Sequence, residues 1–282
     1  MLLLLLLMLL LLLQLLLHAC ACRAAVGDVH WLNTVLWPHL ADGAANGTAG
    51  TFEVSTCTAA AGSPHSVLCD TDGLVTDLWL NADAALSGSV PTIIGLMTAL
   101  QRLHVVNNEI GGTLPAELAA CTALTKLDVQ GTRIGGALPV ELAALTALRE
   151  LALVGLPPHV AAAPRFTGEL HAQFAAWTAL RVLNIQSTHV SGTLPSAWGA
   201  WTLVESVQFS DNADLRGTLP AAYANWTALT ALYAHSNALS GTLPGEVLSA
   251  WTKVTYLSVR HNELEGELPT ELGTLSSMTT LH

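Results

Sequence analysis

The chain has 282 residues, of which 51% are hydrophobic and 11% charged, and its formal net charge is −11. That length accommodates one or two folded domains with a sizeable core. With only Lys126 and Lys253 as lysines, eight arginines and no basic run, the chain offers a nucleic-acid groove no electrostatic footing.

The first 17 residues contain 14 leucines and run directly into the small residues of HACACRAA. Such a stretch reads as a secretory signal peptide over residues 1–21, cut after Ala21, with Ala24 and Ala25 as alternative sites. No basic residue precedes the leucines, which leaves an uncleaved signal anchor as the competing reading. No second apolar stretch of that length follows, so contact with a membrane is expected only through an anchor not visible in this sequence.

Residues 26–74 read as an N-terminal cap. Val26 to Leu40 places apolar residues at helical spacing, and CTAAAGSPHSVLC then brackets a short polar segment with Cys57 and Cys69. In a secreted protein these two cysteines are the obvious disulfide pair, worth roughly 3 kcal/mol through restriction of the unfolded chain, with metal binding as the alternative. Asn46-Gly-Thr48 is an N-glycosylation sequon within the same segment.

From residue 75 onward the chain repeats itself. The fragment Gly-x-Leu-Pro recurs, and its fourth residue falls at Pro91, Pro115, Pro139, His171, Pro195, Pro220, Pro244 and Pro269, with spacings of 24, 24, 32, 24, 25, 24 and 25. Upstream of each anchor lies L-x-x-L-x-[LV]-x-x-[NT]-x-[LIV]-x-G, clearest from Leu100 to Gly112 and from Val254 to Gly266. Period and pattern are those of a leucine-rich repeat, and predict about eight coils plus a truncated ninth over residues 75–282. The expected fold is an α/β solenoid, a right-handed coil with short parallel strands on the concave face and irregular or 3-10 segments on the convex face. Leu-x-[LV] alternation supplies the strands. A polar column (Asp83, Asn108, Thr132, Thr188, Asn212, Asn237, Asn262) serves the backbone at each bend, with Leu156 as the exception.

Two apolar columns mark the other side of each coil. One reads Met97, Cys121, Leu145, Trp177, Trp201, Trp226, Trp251, Leu275 and the other Ile94, Leu118, Leu142, Phe174, Trp198, Tyr223, Val247, Leu272. Interchange among Leu, Met, Cys, Phe and Trp is the signature of volume filling, so the tryptophans are assigned to the core and Cys121 to a buried thiol. The surplus of the long coil, Gly155 to Phe166, is either a binding insertion or a neutral Pro/Ala loop. Asn225-Trp-Thr227 is a second sequon, on the side away from the strands. The last residues, Leu281-His282, fall on the strand of the ninth coil, as expected of a fragment or an early end.

No nucleophile elbow, phosphate loop, zinc-protease or kinase motif occurs, so no catalytic residue, cofactor or metal is expected. What remains is the outward surface of the strands. Its candidates for partner contact are Trp79, His104, Asp128, Gln130, Asn184, Gln186, Gln208, Tyr233, His235 and Arg260, with Trp79 and Tyr233 as exposed anchors. Amides, single aromatics and few charges suit a protein or a glycan ligand on the concave face.

The junction LCDTDGLVTDLWLNADAALSGSVP resembles the start of plant-type extracellular leucine-rich repeat domains. The repeats, as in QSTHVSGTLPSAWGAWT, are similar to those of the surface antigen family of kinetoplastid parasites and the related proteophosphoglycans. That resemblance implies a secreted or cell-surface glycoprotein that contacts host or environmental proteins through its repeats. A secreted inhibitor of a hydrolase and the ectodomain of a signalling receptor are the alternatives.

Overall fold

The computed structural model describes residues 65–82, 86–155 and 165–282. Its strands in chain order are β1 (His65–Cys69), β2 (Val75–Asn81), β3 (Arg102–Val106), β4 (Gly111–Thr113), β5 (Lys126–Asp128), β6 (Arg133–Ala137), β7 (Glu150–Ala152) and β8 (Phe166–Glu169). They continue with β9 (Val182–Asn184), β10 (His189–Thr193), β11 (Ser206–Gln208), β12 (Asn212–Gly217), β13 (Ala231–Tyr233), β14 (Asn237–Gly241), β15 (Tyr256–Ser258), β16 (Glu263–Leu264) and β17 (Thr280–Leu281). The first coil is centred on β2 and the ninth on β17.

The expected strand face is a ten-stranded sheet in the order β1-β2-β3-β5-β7-β9-β11-β13-β15-β17. From β2 onward its pairs are parallel, and the register stacks Leu78, Leu103, Leu127, Leu151, Leu183, Val207, Leu232, Leu257 and Leu281 one above another. The eight extra residues of the long coil leave this register intact, because Leu151 still faces Leu183. The cap contributes an element that the helical reading of 26–74 did not foresee: β1 runs antiparallel to β2 and closes the first edge of the sheet. Cys69 ends that strand and is disulfide-bonded. Cys57, Asn46, the signal segment, the helical part of the cap, Leu156 and most of the long-coil insertion lie outside the described residues.

A second sheet of seven strands, β16-β14-β12-β10-β8-β6-β4, follows the polar bend of each coil. The sequence pattern suggested only a turn there. Glycines make it possible: Gly217 and Gly241 sit at φ of 82° and 74°. A Cβ on Gly241 would stand 2.9 Å from Thr218 Cγ2 of the preceding coil. After this strand, proline in an extended conformation starts a 3-10 turn, as at Ser196–Ala200 and Ala221–Asn225, while one coil forms a six-residue α-helix, Gly245–Ala250.

Both apolar columns are buried, apart from Leu272 in the penultimate coil, which is half-buried. The tryptophans do more than fill space. Each indole N–H donates to a carbonyl of the preceding coil: Trp177 to Leu142 at 2.9 Å, Trp201 to Phe174 at 3.0 Å, Trp226 to Trp198 and Trp251 to Tyr223 at 2.9 Å. Trp198 and the Tyr223 hydroxyl donate in the same way to His171 and Pro195. An aromatic with one polar atom is tolerated in a core when that atom reaches a partner, and the stacked coils provide one at a fixed offset. Cys121 is a buried free thiol whose Sγ contacts the Ile94 carbonyl at 3.3 Å, and burial pushes its pKa up to about 11.

Candidate functional site on the strand face

The polar column at the bend ties the strand face to the core. Asn212 is fully buried, and its Nδ2 donates to the carbonyls of Ile185, Phe209 and Ser210 while its Oδ1 accepts from the Thr188 hydroxyl. Asn237 and Asn262 repeat the arrangement one and two coils further on. The bend passes through a left-handed residue, such as Asp211, Ser236 or His261, in every coil but the fourth, where Gly155 does not adopt that conformation. That fixed bend holds the outward side chains of successive strands in straight columns.

In the first four coils those columns are locked to one another. Arg102 pairs with Asp77, and Lys126 Nζ reaches Glu150 Oε2 at 2.7 Å. Trp79 stacks flat on His104, centroids 3.7 Å apart, and His104 Nδ1 stands 3.9 Å from Asp128 Oδ2, which also accepts from Gln130 Nε2 at 3.2 Å. The expectation that His104 and Asp128 offer themselves to a partner is corrected: they are only 4% and 7% exposed. Trp79 is half-buried against His104 rather than free. The reason is the parallel register, which sets Trp79, His104 and Asp128 side by side although 24 or more residues separate them in the chain. Burial, reinforced by the Lys126 and Arg102 charges, lowers the His104 pKa to about 4, and burial raises that of Asp128. His104 is therefore neutral at physiological pH, and its Nε2 is buried without a hydrogen-bond partner.

Coils five to eight are more open. Asn184 Oδ1 accepts from the Gln186 backbone N–H, and Gln186 Nε2 donates to Asp211 at 3.1 Å. Tyr233 stacks on Tyr256 at 4.3 Å, both half-buried, and Arg260 is exposed. His235 Nδ1 faces the Ser258 hydroxyl at 3.4 Å and its Nε2 lies 4.0 Å from Asp211; burial lowers its pKa against the opposing pull of Asp211. Tyr256, Ser210 and Asp211 belong to this surface and were not singled out in the sequence. Ser210 is fully buried with an unpartnered Oγ, which no sequence pattern signals. Among the described residues, no group of three or more His, Cys, Asp and Glu is placed to hold a metal ion, and no helix is long and apolar enough to cross a membrane.

The stacked strands, the polar bend column and the turn-rich outer side define a leucine-rich repeat solenoid. The Leucine Rich Repeat family matches residues 253–275, and the chain is a leucine-rich repeat protein. No curated protein matches it. Among solved structures it is similar to the ectodomain of the plant membrane receptor kinase GASSHO1/SCHENGEN3 from Arabidopsis thaliana in complex with CASPARIAN STRIP INTEGRITY FACTOR 2. That likeness has 26% identity and a TM-score of 0.68, over 76% of this chain and 28% of that one. A structure of PEPR1 with AtPEP1 gives 26% and 0.66 over 75% of this chain and 32% of that one. The Arabidopsis receptor kinase HAESA with the peptide hormone IDA and the co-receptor SERK1, at 24% and 0.62 over 70% of this chain and 32% of that one, shares the fold. The chain thus spans about a third of the length of these proteins.

Proposed function

We propose that the chain is a non-catalytic extracellular recognition protein that binds a protein ligand on the strand face of its solenoid. The observation that carries this reading is the face itself: a continuous sheet whose outward columns in coils five to eight present half-buried tyrosines and free amides. The second sheet turns small and charged groups such as Ser191, Asp214, Arg216 and Glu263 outward, without an exposed Tyr or Trp to anchor a partner. The GASSHO1/SCHENGEN3 ectodomain, which has the same fold and was solved in complex with CASPARIAN STRIP INTEGRITY FACTOR 2, supports the choice. Under this reading residues 1–21 direct secretion, Cys57 pairs with Cys69, and Asn46 and Asn225 carry glycans. The resemblance to kinetoplastid surface antigens makes a cell-surface or secreted glycoprotein the preferred setting. The second reading, a receptor ectodomain, is favoured by the receptor kinases among the structural neighbours.

Replacing Gln186 with Asn creates a sequon with Ser187 and Thr188 in the middle of the strand face, whereas the natural sequon at exposed Asn225 lies on the outer side. In a glycosylating host, Gln186→Asn should abolish capture of the partner with no loss of folding, while a glycan at Asn225 leaves it intact. Undiminished capture by the Gln186 variant would refute the reading.

A further inference from the structure

We propose that the ligand docks over coils five to seven, and that the docked part is an uncharged, extended stretch of a partner protein, read by hydrogen bonds rather than by ion pairs. The inference rests on the recognition role above and narrows it.

The first four coils have already spent their polar groups. Asp77 holds Arg102, Lys126 holds Glu150, and Asp128 faces both His104 and Gln130. A ligand charge placed there has to break one of these pairs before it gains its own contact. The outward strand positions of coils five to seven, between Val182 and His235, hold no Asp, Glu, Lys or Arg, and Arg181 and Glu205, which precede β9 and β11, pair with each other. Among the described residues, the side chains of Gln208 and Tyr233 form no hydrogen bond and the Asn184 amide nitrogen donates to none, so these donors and acceptors are open to a ligand.

Beneath them, in the column between Gln186 and His235, lies the Ser210 hydroxyl, fully buried and without a partner. A buried orphan of this kind is unfavourable, and a ligand amide that parts its neighbours relieves it. Of the charges around the patch, Arg181 and Glu205 already hold each other, Asp211 is engaged by Gln186, and Arg260 stands beyond it in coil eight. A charged ligand group over the patch would lose water and meet no unengaged counter-charge within coils five to seven. An extended backbone, with alternating donors and acceptors, matches side-chain amides that offer both. Half-buried Val182 and Ala231 leave room for an aliphatic side chain. Neighbouring strands lie about 4.8 Å apart, so the span from β9 to β13 is about 10 Å, roughly three residues of extended chain.

The test offers the glycosylated 282-residue chain to a displayed library of random linear peptides of about seven residues, with a glycan array in parallel. Enriched peptides should have uncharged central residues, and their affinity should change less than about two-fold between roughly 0.05 and 0.5 M NaCl. Gln208→Ala and Tyr233→Phe should each weaken binding roughly ten-fold at unchanged melting temperature. The paired substitution Lys126→Ala with Glu150→Ala should leave affinity unaltered. Steep salt dependence, or a loss caused by the Lys126/Glu150 pair and not by Gln208→Ala, overturns this proposal and leaves strand-face recognition standing. Binding to glycans alone, or no enrichment, also overturns it. Peptides that still bind the glycosylated Gln186→Asn variant sink the strand-face role itself.

Discussion

Trp201 is a residue whose role depends on its neighbours 24 and 25 places away. It lies between Trp177 and Trp226, with centroids 6.3 and 6.2 Å distant, and donates to Phe174 across the coil boundary. Truncation to Ala removes a fully buried indole and orphans that carbonyl, a loss of about 3–5 kcal/mol that a thermal or denaturant melt will show. Tyr233→Ala should leave the melt almost unmoved, because the ring is half-exposed. His104 gives the residue scale its pH dependence. Its folded pKa, about 4, is below the 6.5 of the unfolded chain. Stability is therefore complete above pH 6.5 and falls as pH drops towards 4, by at most about 3 kcal/mol, with part offset by the raised pKa of Asp128. Melts of wild type and His104→Gln from pH 7 to 4 should converge as the wild type loses this contribution; a constant difference between them would show that His104 titrates as it does in the unfolded chain.

At the scale of the element, the close approach of successive turns sets what fits. Gly199 and Gly273 hold the same place, four residues after the proline of their coils. A Cβ on Gly199 would come within 2.6 Å of the Ala222 carbonyl of the next coil, whereas nothing lies within 4 Å of the corresponding point on Gly273. Gly199→Ala should cost about 1–3 kcal/mol by forcing two turns apart. Gly273→Ala should be neutral or stabilising by up to about 1 kcal/mol through the unfolded chain, a contrast that paired denaturant titrations will measure. The second sheet belongs to this scale too. Its strands last only two to six residues and consist largely of glycine and small polar residues, so no period-two apolar pattern announced them.

For the whole molecule, a solenoid transmits stability only between neighbouring coils. The interior coils bury their columns on both sides, while in the penultimate coil Leu272 is half-buried and Leu281 of β17 is 46% exposed. In the 282-residue polypeptide, hydrogen exchange should be fastest at the amides of β16 and β17 and slowest around Val207 and Leu232. Uniform protection from β3 to β17 would mean that the array melts as a single unit.

The period, the stacking columns and the polar bend were legible in the chain because each is written once per coil: Leu, Asn, Pro and Trp recur at fixed offsets, and every coil buries the same positions. Availability of the outward residues was not legible, although their positions were. His104 and Asp128 look like open polar groups in sequence; the parallel register covers one with Trp79 and pairs the other, and the same register leaves the Gln208 amide and the Tyr233 hydroxyl without a hydrogen bond among the described residues. Periodicity determined which side chains point inward, since that follows from local geometry. Only the tertiary structure decided which outward ones are free, because each is satisfied or left open by a residue a full coil away.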